Sequence, residues 1–141
     1  MDVFTAVETA IYSRLSQNQN IVNLIGTNPN NPITQYQIYN GQAPIKAPYP
    51  LIVFNLAAGD NQNDTHATAF HLIYRFTSWC YDKSQARLLS GYIRDSLDKQ
   101  QIQVGDKLMY QIVERQLFSN LANVEGNQVH GYGSTYEFLV Q

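Results

Sequence analysis

From Thr68 to Cys80 the side chains alternate in character: Phe70, Leu72, Tyr74 and Phe76 hold one phase, and His71, Ile73, Arg75 and Thr77 hold the other. Successive residues of an extended strand leave opposite faces, so this period of two yields one apolar face only if the segment is a strand. A strand of this kind needs neighbours on its edges and a layer over its apolar face.

The neighbours are present in the sequence. Leu51 to Ala57 is a compact apolar run with Ile52, Val53 and Phe54, and the polar stretch Gly59 to His66 that follows it reads as a turn. The pair therefore predicts an antiparallel hairpin with a projecting tip. A second hairpin is predicted from Lys107 to Leu117 and from His130 to Val140, with Glu125-Gly126-Asn127 near its turn.

Two segments carry the spacing of helices. Val3, Val7, Ile11 and Leu15 recur every four residues, as do Leu89, Ile93 and Leu97 beside Leu88 and Tyr92, each set forming one apolar stripe. Asp82 and Ser84 are predicted N-caps for the second helix, and Gly91 within it either weakens the helix slightly or allows a close approach to the sheet. Ile21 to Ile25 reads as a short apolar turn or helix ended by Gly26. All five prolines fall in the segment from Thr27 to Pro50 among repeated asparagines, which predicts a long shaped loop with a short edge strand at Gln37 to Asn40. With 141 residues and no internal repeat, the expectation is one domain, 1–141, of class α+β. It consists of a twisted, mainly antiparallel sheet with two amphipathic helices packed on one face, a Pro/Asn-rich loop at 27–50 and a hairpin tip at 59–66.

The residues that could carry chemistry lack the required spacing. Asp64, His66 and His71 invite a metal reading, but there is no HExxH and no paired cysteine. The acidic loop that begins at Asp60 has Thr65 where a calcium loop needs glycine and His71 where it needs a bidentate glutamate. His130-Gly131-Tyr132-Gly133-Ser134 lacks the third glycine and following helix of a dinucleotide site, so its glycines predict a bulge or a close backbone contact. Cys80, after Trp79 at a strand end, reads as a small buried thiol. As a lone cysteine in a chain without a basic, apolar leader, it predicts folding in a reducing cytoplasm. No catalytic, metal or cofactor residue is assigned.

Composition narrows the partners. The net charge is −2 and the nine basic residues are scattered, which leaves no stripe to neutralise a run of phosphates. The most apolar stretch, Pro48 to Ala58, is shorter than the ~20 residues of a membrane helix. Only 14% of residues are charged, against about a quarter in a typical domain, and ten tyrosines are present. A weakly self-repelling, tyrosine-rich surface suits a protein packed against neighbours.

In order along the chain stand Leu24-Ile25-Gly26, Gln37-Ile38-Tyr39, Ala47-Pro48-Tyr49-Pro50-Leu51-Ile52-Val53-Phe54, a strand closing on Trp79 before Asp82, the second helix, and a last strand ending Tyr136-Glu137-Phe138-Leu139-Val140. In that order and spacing the chain resembles the tail-terminator (tail-completion) proteins of long-tailed bacteriophages and prophages over nearly its whole length. It departs from them in an Asn- and Pro-rich insertion from Asn28 to Gln35 and in a short hairpin tip. The resemblance implies a non-enzymatic virion subunit without cofactors, assembled in the host cytoplasm and placed at the head-proximal end of the tail. It would form a hexameric ring that stops tube polymerisation, with copies of itself, the tail-tube protein and the head-tail connector protein as partners. Genomic DNA would pass through the lumen without specific binding. Expected contacts for subunit or tube are Asp60, Asn61, Gln62, Asn63, Asp64, Thr65 and His66. A head-tail connector or neck protein is the alternative within the same class, and a small enzyme the alternative outside it.

Overall fold

Helix α1 (Val3–Ser16) starts at Asp2, whose carboxylate accepts the Thr5 backbone N–H at 2.9 Å and so satisfies one of the donors that a helix start leaves open. Its four-residue stripe buries Val7, Ile11 and Leu15. Asn18 then caps α2 (Gln19–Ile25), accepting from Asn20 N and Ile21 N, while its amide donates to Ser96 Oγ at 2.8 Å. The computed structural model describes residues 2–27, 35–63 and 68–141.

The strands are β1 (Ile38–Asn40), β2 (Leu51–Asn63), β3 (Thr68–Cys80), β4 (Ile102–Val104), β5 (Lys107–Val124) and β6 (Asn127–Val140), and helix α3 (Lys83–Leu97) joins β3 to β4. They form one six-stranded sheet in the order β1-β2-β3-β6-β5-β4. Every pairing is antiparallel except that of β1 with β2.

The alternation of β3 lands as expected. Leu72, Tyr74, Phe76 and Cys80 are buried with Ile52 and Phe54 of β2, Tyr136, Phe138 and Val140 of β6, and the apolar stripes of the helices in one core cluster. Phe54 stacks on Phe76 at 5.8 Å and Tyr74 on Phe138 at 5.7 Å, so the aromatic residues counted in the sequence are in good part core residues. We call this side of the sheet the core face. On the opposite face Leu51 and Val129 are also buried, with Trp79 half-buried nearby on the row Leu51, Trp79, Gly131.

Several expectations are corrected. Among the described residues there are three helices, because of the two readings of Ile21 to Ile25, turn or helix, the Asn18 cap favours the helix. β2 continues through Gly59 and the polar residues to Asn63, held by backbone pairing to β3 in spite of their low strand preference. β5 runs on past Leu117 to Val124, β6 begins at Asn127 rather than His130, and β4 was not anticipated. The turn between β5 and β6 does fall on Glu125 and Gly126, both with positive φ (52° and 83°), as a tight two-residue hairpin connection requires.

Within α3, Leu88 is exposed while Ala86, Leu89, Ile93 and Leu97 face the core. Gly91 makes no close approach to the sheet, since a Cβ built there meets nothing within 4 Å. It therefore only weakens the helix. Gly91→Ala is expected to stabilise the protein by about 0.5–1 kcal/mol, read as a higher urea midpoint at unchanged slope.

Candidate functional site

Two hairpins project from opposite ends of the sheet. β6 stops pairing with β3 at Val140 opposite Phe70, so the last two rows of β2 and β3, Gln62 with Ala69 and Asn63 with Thr68, have no β6 beside them. At the other end the β3–β6 ladder ends at Cys80 opposite His130, and β5 and β6 extend beyond it to their turn. Of the expected contact residues, Asp60, Asn61, Gln62 and Asn63 lie on β2, their backbones opposite His71, Phe70, Ala69 and Thr68. Asp64, Thr65 and His66 lie outside the described residues.

A groove of about 620 Å³ lies between α3 and β5, lined by Arg87, Ser90, Arg94, Leu117, Phe118, Ser119, Tyr132 and Gly133. Its far wall is a strand edge. Leu117 and Leu121 are 65% and 62% exposed, an unusual state for leucine in a long strand. Two arginines bracket this edge: Arg87 lies over the Tyr132 ring at 5.1 Å, and Arg75, on the opposite face, lies over Phe118 at 4.1 Å. Neither has a carboxylate partner among the described residues.

A polar network closes the inner end of the groove. The Arg94 guanidinium donates to both Glu114 oxygens at 2.9 and 3.0 Å, Ser134 Oγ donates to the same carboxylate at 2.7 Å, and Tyr136 Oη donates at 3.2 Å. The Glu114 N–H donates to Asp98 at the end of α3. Burial would raise the Glu114 carboxyl, yet the hydrogen bonds from Arg94, Ser134 and Tyr136 together outweigh it and hold the group below its ordinary value. On the opposite face, hydrogen bonds from His71 and then Arg115 hold Glu137 low as well.

Both carboxyls are depressed in the folded state, so their contribution to stability is full above the ordinary value of 4.5 and is lost as pH falls through the lower folded values. Urea midpoints measured downward from pH 5 are expected to fall steadily. Glu114→Gln is expected to flatten part of that fall, and a variant as steep as wild type would show that Glu114 does not contribute.

The other reactive groups have structural surroundings. Burial pushes the Cys80 thiol up to about 12, far from a nucleophile's range. Gly131 and Gly133, in the HGYGS stretch, lie where β6 passes close to other atoms, since a Cβ would fall 2.8 Å from the Trp79 ring and 1.8 Å from the Phe76 carbonyl oxygen respectively. Among the described residues no three His, Cys, Asp or Glu converge as metal ligands. No described helix is long and apolar enough to cross a membrane.

The exposed leucines and the stacked arginines were not recognised as site residues in the sequence. Leu117 and Leu121 each fall one row from a glycine of β6, Gly133 and Gly131 respectively, which no sequence pattern ties together.

No protein-family model matches the chain, and no curated protein matches it. Among solved structures, the virion of a native gene transfer agent particle contains a chain that superposes with a TM-score of 0.72 at 12% sequence identity, over 99% of this chain and 98% of that one. At that identity the likeness establishes a shared fold, end to end.

Proposed function

We propose that the protein is a structural, non-enzymatic subunit of a phage-like virion, and more narrowly a tail terminator. Copies form a ring, hexameric by the family resemblance, that caps the head-proximal end of the tail tube, stops its polymerisation and offers a joining surface to the head connector. The observation that carries the reading is the full-length match in fold to a chain of a virion particle. The surface chemistry supports it: a projecting hairpin, an exposed leucine-bearing strand edge and few charges favour contact with copies and with other subunits. The residues from Asp60 to His66 serve as contacts in this reading. A net charge of −2 without a basic stripe lets DNA pass through the ring without binding.

The test is capping. Purified tail-tube protein polymerising in the presence of this protein should give shorter tubes, each with density on one end by negative-stain imaging. Tubes of unchanged length with bare ends, together with binding to DNA-filled heads, would replace the terminator by a neck protein.

A further inference from the structure

β2 and β5 each leave a long stretch of one edge with no strand partner among the described residues. β1 covers β2 only from Ile52 to Phe54, and β4 covers β5 only from Lys107 to Met109. An open edge presents unpaired N–H and C=O groups and is a template for another strand. The two stretches lie on opposite edges of the sheet, β2's toward the Asn63 end and β5's toward the opposite end. Three successive antiparallel pairings separate them, so β2 and β5 run in opposite directions. Copies placed side by side in one orientation thus bring antiparallel edges together.

We propose that the free edge of β2 in one copy pairs antiparallel with the free edge of β5 in the next, Leu56 opposite Leu121, so that the sheet continues from copy to copy. This rests on the ring reading above and names its contact.

Two observations favour a second copy as the occupant. Leu56 and Leu121 are exposed apolar residues, and their rows, through Tyr74 and through His130 to Cys80, both lie on the core face, so pairing buries one against the other. The height of the two edges also fits. Within one copy the Leu56 row crosses β6 at Tyr136, six rows or roughly 20 Å of strand from His130 on the Leu121 row. In the continued sheet β2, β3, β6 and β5 repeat every four strands, about 19 Å at about 4.8 Å each, so a strand tilt of about 45° levels the two edges, at the upper end of the tilt of about 35–45° found in closed sheets. Because the contact joins two different surfaces, it is head-to-tail, the type that closes into rings.

The experiment is a cross-link. A chain carrying both Leu56→Cys and Leu121→Cys is oxidised and run on a non-reducing denaturing gel; the buried native thiol of Cys80 stays silent. The expected result is a ladder of covalent multimers that collapses on reduction, absent from the chain carrying Leu56→Cys and Asn120→Cys, whose second thiol leaves the other face. A monomeric band from the Leu56→Cys, Leu121→Cys chain overturns the pairing if the wild-type chain sediments as an assembly. Equal dimerisation by Leu121→Cys alone overturns it too, since that marks a two-fold contact. A wild-type chain that is monomeric throughout overturns the ring reading itself.

Discussion

Gly133→Ala is expected to destabilise the protein by more than about 4 kcal/mol, at the extreme of what single substitutions do. The Cβ it adds would sit 1.8 Å from the Phe76 carbonyl oxygen and 3.0 Å from the Phe118 ring. The obstructing atom is backbone in the middle of the β3–β6 ladder, not the end of a mobile side chain, so relief requires the two central strands to separate. A domain of this size has a total stability of about 5–15 kcal/mol, so the variant should be recovered mostly insoluble. Any soluble fraction should show a urea midpoint far below wild type. A soluble variant with a midpoint within experimental error of wild type would refute the close approach.

Glu114→Ala is expected to cost about 3 kcal/mol. The half-buried carboxylate receives Arg94, Ser134 and Tyr136, and its loss leaves Ser134 Oγ and Tyr136 Oη, both on buried residues, without that acceptor. Glu114→Gln keeps one acceptor oxygen in the same place and should cost less than half as much. Arg94 is 41% exposed at its side chain, so Arg94→Ala, which leaves the guanidinium's place to water, should cost less than Glu114→Ala. Equal losses for the three variants would mean that the charge pair alone, and not the convergence of donors on Glu114, holds α3 to the sheet.

The parts of the fold that depend on local periodicity were readable in the sequence, and the parts that depend on what lies across space were not. Phe70 to Phe76 could only be a strand, Val7, Ile11 and Leu15 could only share a helix face, and Asp82 caps α3 by accepting the Ser84 N–H at 2.7 Å. β5 defeats the same reasoning because its register slips between Tyr110 and Val113 and again between Glu114 and Leu117, with Gln111 at φ 53°. Each slip changes which residues face the core, so Met109 and Ile112, three apart, are both buried. Gly59 to Asn63 looked like a turn because Gly, Asp, Asn and Gln have little strand preference, and only pairing with β3 makes them extended.

The surfaces for assembly were less legible still. That Leu117 and Leu121 are exposed follows from the shortness of β4 and from α3 lying across the sheet rather than over that edge, two facts set by tertiary packing. Arg75 and Arg87 stand 12 positions apart in the sequence, and they bracket one strand edge only because Phe118 and Tyr132 are adjacent rows of the β5–β6 hairpin. The low charge content pointed toward a protein that packs against others, and the structure adds which edges are left open for it.

The central claim is that the chain assembles with itself into a closed ring. Light scattering coupled to size exclusion, over a range of loading concentrations, reads that directly. The expected result is one species at a fixed whole multiple of 16.0 kDa, six copies or about 96 kDa for the hexamer, that grows no further on concentration because a closed head-to-tail ring leaves no free ends. A 16.0 kDa species at every concentration would contradict it.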